Sequence, residues 1–181
     1  MAGLLAVALV GCAAGANPGA MVPPVSGETI VSTGSRLRQA VAVGTISGGR
    51  ETNPLWTSQV SDPAFAEALR QSLATHALLS VNNQAFRLDA RLLELNQPFI
   101  GLDMEVTARV AYRLTRVSDG AVVFETEIRS PFTATFGSSL YAVERLRLGN
   151  EGAIRENIRQ FLAQLVGAEQ RNPLAFGGPA A

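Results

Sequence analysis

The sequence predicts an α+β domain, a two-layer sandwich in which a four-stranded, mostly antiparallel sheet carries two helices on one face. Two runs of alternating apolar and polar residues, 104–115 and 122–129, have the period of half-buried strands. Such a sheet is apolar on one face and needs a cover. Two segments with apolar residues at helical spacing, 62–79 and 140–166, provide that cover, so the predicted order is β-α-β-β-β-α.

The two alternating runs predict a hairpin with a defined register. Ser118-Asp119-Gly120 separates them, and both apolar sets fall on even numbers, so directly paired residues must have an even sum. A three-residue turn with Gly120 in the left-handed conformation satisfies that condition. It places Leu114 opposite Phe124 and Arg113 opposite Glu125.

The remaining elements follow from local signals. A first strand is predicted over 37–46 and another over 86–95. The first helix is expected to begin with Asp62 as its N-cap, followed by Pro63. Gly149 and Gly152 each cost the second helix about 1 kcal/mol relative to alanine, which predicts a kink or break there.

The ends of the chain differ in composition from its middle. Residues 1–12 form an uncharged apolar run that is too short to span a bilayer and is typical of a signal peptide. Residues 13–36 are rich in Gly, Pro, Ala, Ser and Thr, which predicts a flexible linker. A single domain is then expected over 37–166 and a disordered tail over 167–181.

The overall composition argues against several functions. The formal net charge is zero, and all fifteen basic residues are arginine, so we expect no nucleic-acid partner and no lysine-based catalysis. His76 is the single histidine and has no predicted metal or nucleophile partner. Arg109, Arg113, Glu125 and Glu127 fit cross-strand pairing on a solvated face better than an acid/base cluster. We therefore expect no enzyme, no cofactor and no metal.

Three loops are predicted to meet at one end of the sheet. If the first β-α-β unit is a right-handed crossover, its strands are parallel, and loops 47–61, 96–102 and 130–139 share that end. The membrane tether is then expected at the opposite end. The three loops carry the apolar residues Leu55, Trp56, Phe99, Ile100, Leu102, Phe132 and Phe136. These residues either form a docking site for a partner or a lipid, or they fold inward and close the core.

The sequence Leu9-Val10-Gly11-Cys12 resembles the bacterial lipobox, and Cys12 is the single cysteine. The resemblance implies cleavage before Cys12, acylation of that residue and an effectively permanent membrane anchor. Ala13 follows the cysteine, which by analogy with lipoprotein sorting favours the outer membrane, facing the periplasm. The inner membrane is the alternative.

Taken together, the lipobox, the linker, a strand leading through Trp56 into a helix, the hairpin and the long final helix resemble small envelope lipoproteins of Gram-negative bacteria. Residues 111–124, 132–135 and the helix start at Tyr141-Ala142 are similar to the LPS-assembly (LptE-like) group. Residues 53–73 are similar to the ABC-transporter auxiliary (PqiC-like) group. The resemblance implies a non-catalytic, lipid-anchored accessory protein that binds a partner in envelope lipid or LPS transport or assembly. The alternatives are a lipid or glycolipid carrier and a lipoprotein activator of a cell-wall synthase.

Overall fold

A computed structural model describes residues 13–53, 57–98 and 101–177. Its four strands lie in chain order across one sheet, with β1 and β2 parallel and the other two neighbouring pairs antiparallel. The strands are β1 (Val41–Ser47), β2 (Phe86–Asn96), β3 (Met104–Arg116) and β4 (Val122–Ala134). This confirms the predicted fold class.

Two long helices cover one face of the sheet, as predicted. Helix α1 (Asp62–Thr75) packs on β1, and α2 (Ala142–Arg171) packs on β3 and β4. A short helix, α3 (Pro173–Phe176), follows α2. Among the described residues, none of the helices combines the length and apolar character needed to cross a bilayer.

The core between the sheet and the helices is closed by stacked rings and a small polar network. The ring of Tyr112 on β3 stacks on Phe161 of α2, with centroids 4.2 Å apart. The Tyr112 hydroxyl donates to Asn157 Oδ1 at 2.8 Å, and Asn157 Nδ2 donates to the carbonyl of Ile128 and to Ser130 Oγ, both at 2.9 Å. Burial raises the pKa of the Tyr112 phenol well above its usual range.

The register of the β3–β4 hairpin is the predicted one, but its turn is not. Leu114 pairs with Phe124 and Arg113 with Glu125. Nearer the turn, Thr115 pairs with Val122, whose residue numbers have an odd sum. The even sums of the pairs farther from the turn therefore arise at a bulge, in which residue 123 is the extra residue of β4. The turn itself has four residues, 117–120, because the Arg116 amide donates to the carbonyl of Ala121. Gly120 has the expected left-handed conformation, with φ of 72°.

Helix α2 runs uninterrupted past both glycines, so the predicted break is wrong. A Cβ on Gly149 would lie 2.8 Å from Val106 Cγ2, and one on Gly152 would overlap the ring of Phe132. The missing side chains therefore let α2 lie close against β3 and β4. Packing of the helix on the sheet outweighs the low helix propensity of glycine.

Residues 13–36 lie on the domain, although the sequence predicts a flexible linker. We call this segment the strap. Its 3₁₀ turn Pro18–Met21 contacts both α1 and α2, and the Met21 side chain is fully buried. Val31 is also buried. A segment whose composition favours a linker thus buries a few apolar side chains against the domain, and Met21 does so where α1 and α2 meet.

Polar contacts hold the strap along α2 over most of its length. Asn17 lies beside Glu151, Ala20 beside Arg155 and Glu28 beside Arg159. At the end of the strap, the Glu169 carboxylate accepts from the Ser35 hydroxyl at 2.5 Å and from the Arg36 amide at 2.6 Å. The strap therefore runs parallel to α2, from its first third to its last turn.

The segment after residue 166 also contacts the domain. Helix α2 continues to Arg171, and α3 carries Phe176 onto the core, where its ring lies 6.2 Å from that of Phe86. Phe176 is 3% exposed. Residues 167–177 of the predicted disordered tail, 167–181, thus lie against the domain because an apolar ring anchors them, and residues 178–181 lie outside the described part of the chain.

Helix α1 begins with a different cap from the predicted one. The Ser61 side chain is the N-cap, accepting from the Ala64 amide, whereas Asp62 is already helical and accepts from the Gly49 amide at 2.6 Å. The helix ends at Thr75, before Leu79, because Ala77 adopts a left-handed conformation with φ of 56°.

Candidate functional site

The predicted grouping of the loops holds for their described parts. Because β1 and β2 are parallel, both end at the same edge of the sheet, where β3 begins and β4 ends. We call this edge the loop end. Its described residues are 48–53, 57–61, 97–98, 101–103 and 135–141.

Four large apolar side chains are exposed at the loop end. Leu102 is 73% exposed, Phe136 47%, Leu140 79% and Tyr141 68%. The Phe136 amide donates to Asp103 Oδ1 at 2.9 Å, which joins the loop before β3 to the loop after β4. Leu102 and Phe136 were predicted from the sequence. Leu140 and Tyr141 were missed as site residues, because the helical pattern assigned them to the second helix.

The other predicted site residues fall into two groups. Phe132 lies within β4 and not in a loop, where it is half-buried against α2 with the Arg155 guanidinium 5.6 Å from its ring centroid. It borders a surface groove of about 520 Å³ on the β4 side of the domain. Five predicted site residues lie outside the described residues, namely Cys12, Leu55, Trp56, Phe99 and Ile100.

A buried amide network fixes two of these loops to α2. Gln97 Nε2 donates to Asn150 Oδ1 at 2.7 Å and to the Ser58 carbonyl at 3.0 Å. Asn150 Nδ2 donates to the same carbonyl at 3.0 Å, and Gln59 Nε2 donates to Gln97 Oε1 at 3.2 Å. These residues carry no motif, and their spacing along the chain gives no signal that they meet.

The first two turns of α2 lie at the loop end. Gly149 is close to the start of β3, since a Cβ on it would lie 3.3 Å from the Met104 carbonyl oxygen. Residues 142–148 precede it by roughly 10 Å along the helix axis, and Arg145 and Leu146 among them are buried. Leu140 and Tyr141 directly precede these turns.

The strap begins at the loop end. Ala13 is buried, the Ala16 amide donates to the Gln59 carbonyl at 3.1 Å, and the Asn17 amide donates to Glu151 Oε1 at 2.8 Å. Glu151 is itself only 3% exposed. This differs from the sequence-based expectation that the tether lies opposite the loops. Without a flexible linker, residue 13 enters the domain at the loop end.

The opposite edge of the sheet, which we call the distal end, also exposes apolar side chains. Val81 is 78% exposed, Val117 56%, Val122 50% and Leu174 81%. A groove of about 500 Å³ lies beside them, with Arg36, Arg116 and Phe176 among its lining residues. The sequence analysis did not single out this surface, because its residues come from four separate segments.

The residues considered for catalysis have structural partners. His76 is buried at the end of α1, with Nδ1 2.8 Å from the Ser72 carbonyl oxygen. On the outer sheet face Arg109 pairs with Glu127 at 3.0 Å and Arg113 with Glu125 at 2.8 Å, all four being largely exposed. Within the described ranges, no group of three or more potential metal ligands comes together.

This fold defines the class of the protein, a two-layer α+β domain with a strap lying along its long helix. No protein-family model matches the chain, and no curated protein matches it.

Solved structures share the fold. A Xanthomonas campestris protein of the family DUF330 has a TM-score of 0.60 at 14% identity, covering 84% of this chain and 95% of its own. A protein from Caulobacter crescentus described as a candidate lipoprotein has a TM-score of 0.53 at 19% identity, covering 80% of this chain and 96% of its own. A hypothetical protein from Chlamydia trachomatis has a TM-score of 0.52 at 13% identity, with coverages of 74% and 98%. At these identities the likeness shows a common fold.

Proposed function

We propose that the chain is a lipid-anchored, non-catalytic accessory protein of the bacterial envelope, which binds a protein partner in lipid or LPS transport or assembly. Acylation at Cys12 would anchor it, with the domain facing the periplasm and the outer membrane as the preferred location. The lipobox supports the anchor, and the fold shared with a candidate lipoprotein of a Gram-negative bacterium is consistent with it.

The single observation that carries the proposal is the course of the strap. Because the strap is bound along α2, residue 13 lies at the loop end and the distal end points away from the point of attachment. An accessory protein needs one surface at the membrane and another that reaches its partner. The exposed apolar side chains Val81 and Leu174 and the neighbouring groove support the distal end as the surface that binds a periplasmic partner.

The carrier alternative is less well supported. A lipid carrier would hold its ligand between the sheet and the helices, where the fold has its apolar interior. That space is occupied by the stacked rings of Tyr112 and Phe161 and by the buried side chains of Leu114 and Ile158. The wall-synthase activator differs from the main proposal only in the identity of the partner.

A crosslinked pulldown from native membranes tests the proposal, with mass spectrometry of both the partners and the amino-terminal peptide of the mature chain. We expect an acylated Cys12 and a transport or assembly complex. Leu174→Asp should lower partner recovery severalfold, whereas Val25→Asp on the strap, at a position 52% exposed, should not. Trp56→Ala and Phe99→Ala test the partner role that the sequence suggested for the loops.

Other outcomes would contradict parts of this proposal. An unmodified amino terminus would remove the lipid anchor and everything that follows from it. Bound lipid in the purified domain, without a partner, would favour the carrier. A cell-wall synthase as the recovered partner would favour the activator.

A further inference from the structure

We propose that the loop end is a lipid-contacting face, at which Leu102, Phe136, Leu140 and Tyr141 enter the interfacial layer of the bilayer that holds the acylated Cys12. This inference rests on the proposed function in one respect, the acylation of Cys12. It goes further in assigning the occupant of the loop end and the orientation of the domain.

The covalent chain brings the loop end to the membrane. One peptide bond, which spans about 3.8 Å between neighbouring Cα atoms, separates Cys12 from Ala13. Ala13 is buried, and the Ala16 and Asn17 amides are already bound to Gln59 and Glu151. An acyl chain on Cys12 therefore leaves the protein beside the loop end and not at the end of a free linker.

The strap also restricts reorientation of the domain. Arg155 Nη1 donates to the Ala20 carbonyl at 2.9 Å, and Met21 is fully buried next to it. To turn the loop end away from the bilayer, these contacts and the Glu151 contact would have to open together. The bound strap thus converts a single attachment point into a preferred orientation.

The exposed side chains at the loop end have the chemistry that the interfacial layer favours. Leu102 and Leu140 are aliphatic, Phe136 is aromatic, and Tyr141 combines an apolar ring with a polar hydroxyl that can remain at headgroup level. Leu140 and Tyr141 directly precede α2 at the loop end and are both largely exposed. The described loop-end residues carry one basic side chain, Arg50, and two acidic ones, Glu51 and Asp103, so contact should depend on apolar insertion and little on salt or anionic lipid.

The proposed orientation places the two ends of the sheet at very different heights above the membrane. Strand β3 has thirteen residues, and a strand of this length spans roughly 40 Å. With the loop end in the interface, Val81 and Leu174 at the distal end lie in water, far beyond the headgroups. The two ends carry side chains of nearly equal exposure, since Leu140 is 79% exposed and Leu174 81%.

The single native cysteine makes a direct test possible. In the acylated full-length protein the Cys12 thiol is blocked, so one introduced cysteine can be labelled with an environment-sensitive fluorophore. Labels at Leu140→Cys and Leu102→Cys are compared with matched labels at Leu174→Cys and Val81→Cys. Each protein is placed in phosphatidylcholine vesicles with or without brominated acyl chains, and acylation is verified by mass spectrometry.

We expect brominated lipid to reduce loop-end emission at least about twofold, because interfacial side chains bury about 5–10 Å into the headgroup–acyl boundary. The distal labels should not change. The loop-end signal should persist in high salt and weaken when Tyr141→Asp is combined with the Leu140→Cys label.

If acylation is intact and loop-end labels remain unquenched, the inference is overturned while the proposed anchor stands. The inference is also overturned if the loop-end labels become shielded from water only when a protein partner is added, since the loop end is then occupied by protein. A native chain without acylation would instead contradict the proposed function itself.

Discussion

Replacing Gly149 by alanine should destabilise the protein, although alanine is the better helix former. In an unconstrained helix this change gains about 1 kcal/mol. Here the new Cβ would lie 2.8 Å from Val106 Cγ2 and 3.3 Å from the Met104 carbonyl oxygen, whereas apolar carbons prefer about 3.5–4.0 Å. Val106 is fully buried on β3 and is β-branched, so it has little freedom to move.

The helix and the sheet must therefore separate by up to roughly 1 Å at this contact, and overpacking of this kind costs about 1–3 kcal/mol. After subtraction of the helix-propensity gain of about 1 kcal/mol, we expect a net loss of up to about 2 kcal/mol. Gly167→Ala is the matched control, because its Cβ would meet the guanidinium of Arg171, the end of a flexible side chain, with Nη1 at 3.2 Å. That variant should gain up to about 1 kcal/mol.

Urea unfolding followed by circular dichroism, in the mature chain with Cys12→Ser, measures both changes. The cause is checked in the Val106→Ala background, where the clashing methyl groups are absent and Gly149→Ala should lose most of its penalty. Equal stabilisation by Gly149→Ala and Gly167→Ala would refute the close approach of α2 to β3. A penalty that persists in the Val106→Ala background would point to a different contact.

Three further predictions follow from buried polar contacts. Glu169→Ala leaves the Arg36 amide without its acceptor and should speed hydrogen exchange in the strap, with a loss of about 1–3 kcal/mol; unchanged exchange would mean that the strap is held elsewhere. Asn157→Ala leaves the Tyr112 hydroxyl and Ser130 without this partner and should lower the free energy of unfolding by a similar amount, seen as a lower urea midpoint. The exposed Gln164→Ala should leave the midpoint nearly unchanged. The raised pKa of Tyr112 favours its neutral form in the fold, so its contribution is complete below about pH 10 and is lost as the pH rises further. Ultraviolet titration should then show one phenol that ionises only as the chain unfolds, and early ionisation of both tyrosines would contradict its burial.

The hairpin shows how far sequence patterns determine this fold. Alternation fixes which side chains face the core, and the shared parity of the two runs fixes their register, so Arg113 lies opposite Glu125 as predicted. The pattern does not determine where the extra residue is placed, because a bulge at residue 123 and a bulge in the turn give the same parity. The parallel β1–β2 pair likewise brings the predicted loops to one end.

The strap and α3 contact the domain although the sequence patterns predict a linker and a disordered tail there. Gly, Pro and Ala dominate residues 13–36 and indicate a linker, yet Met21 is buried in a groove that exists only after α1 and α2 have packed. Phe176 binds the core in the same way. Isolated large apolar residues in a segment rich in Gly, Pro and Ala carry no period, so their docking depends on tertiary structure that local sequence does not encode.

This difference matters most for function. A linker of 24 residues would let the domain sample many orientations, and the apolar loops would then be equally available to a partner or to the bilayer. A bound strap removes that freedom, because it places residue 13, which follows the proposed attachment point, at the loop end. In the proposed orientation, the apolar residues at the loop end contact lipid and those at the distal end contact a partner. The contacts of Glu151 and Glu169 with the strap, more than any pattern of exposed aromatic residues, support this assignment of the two surfaces.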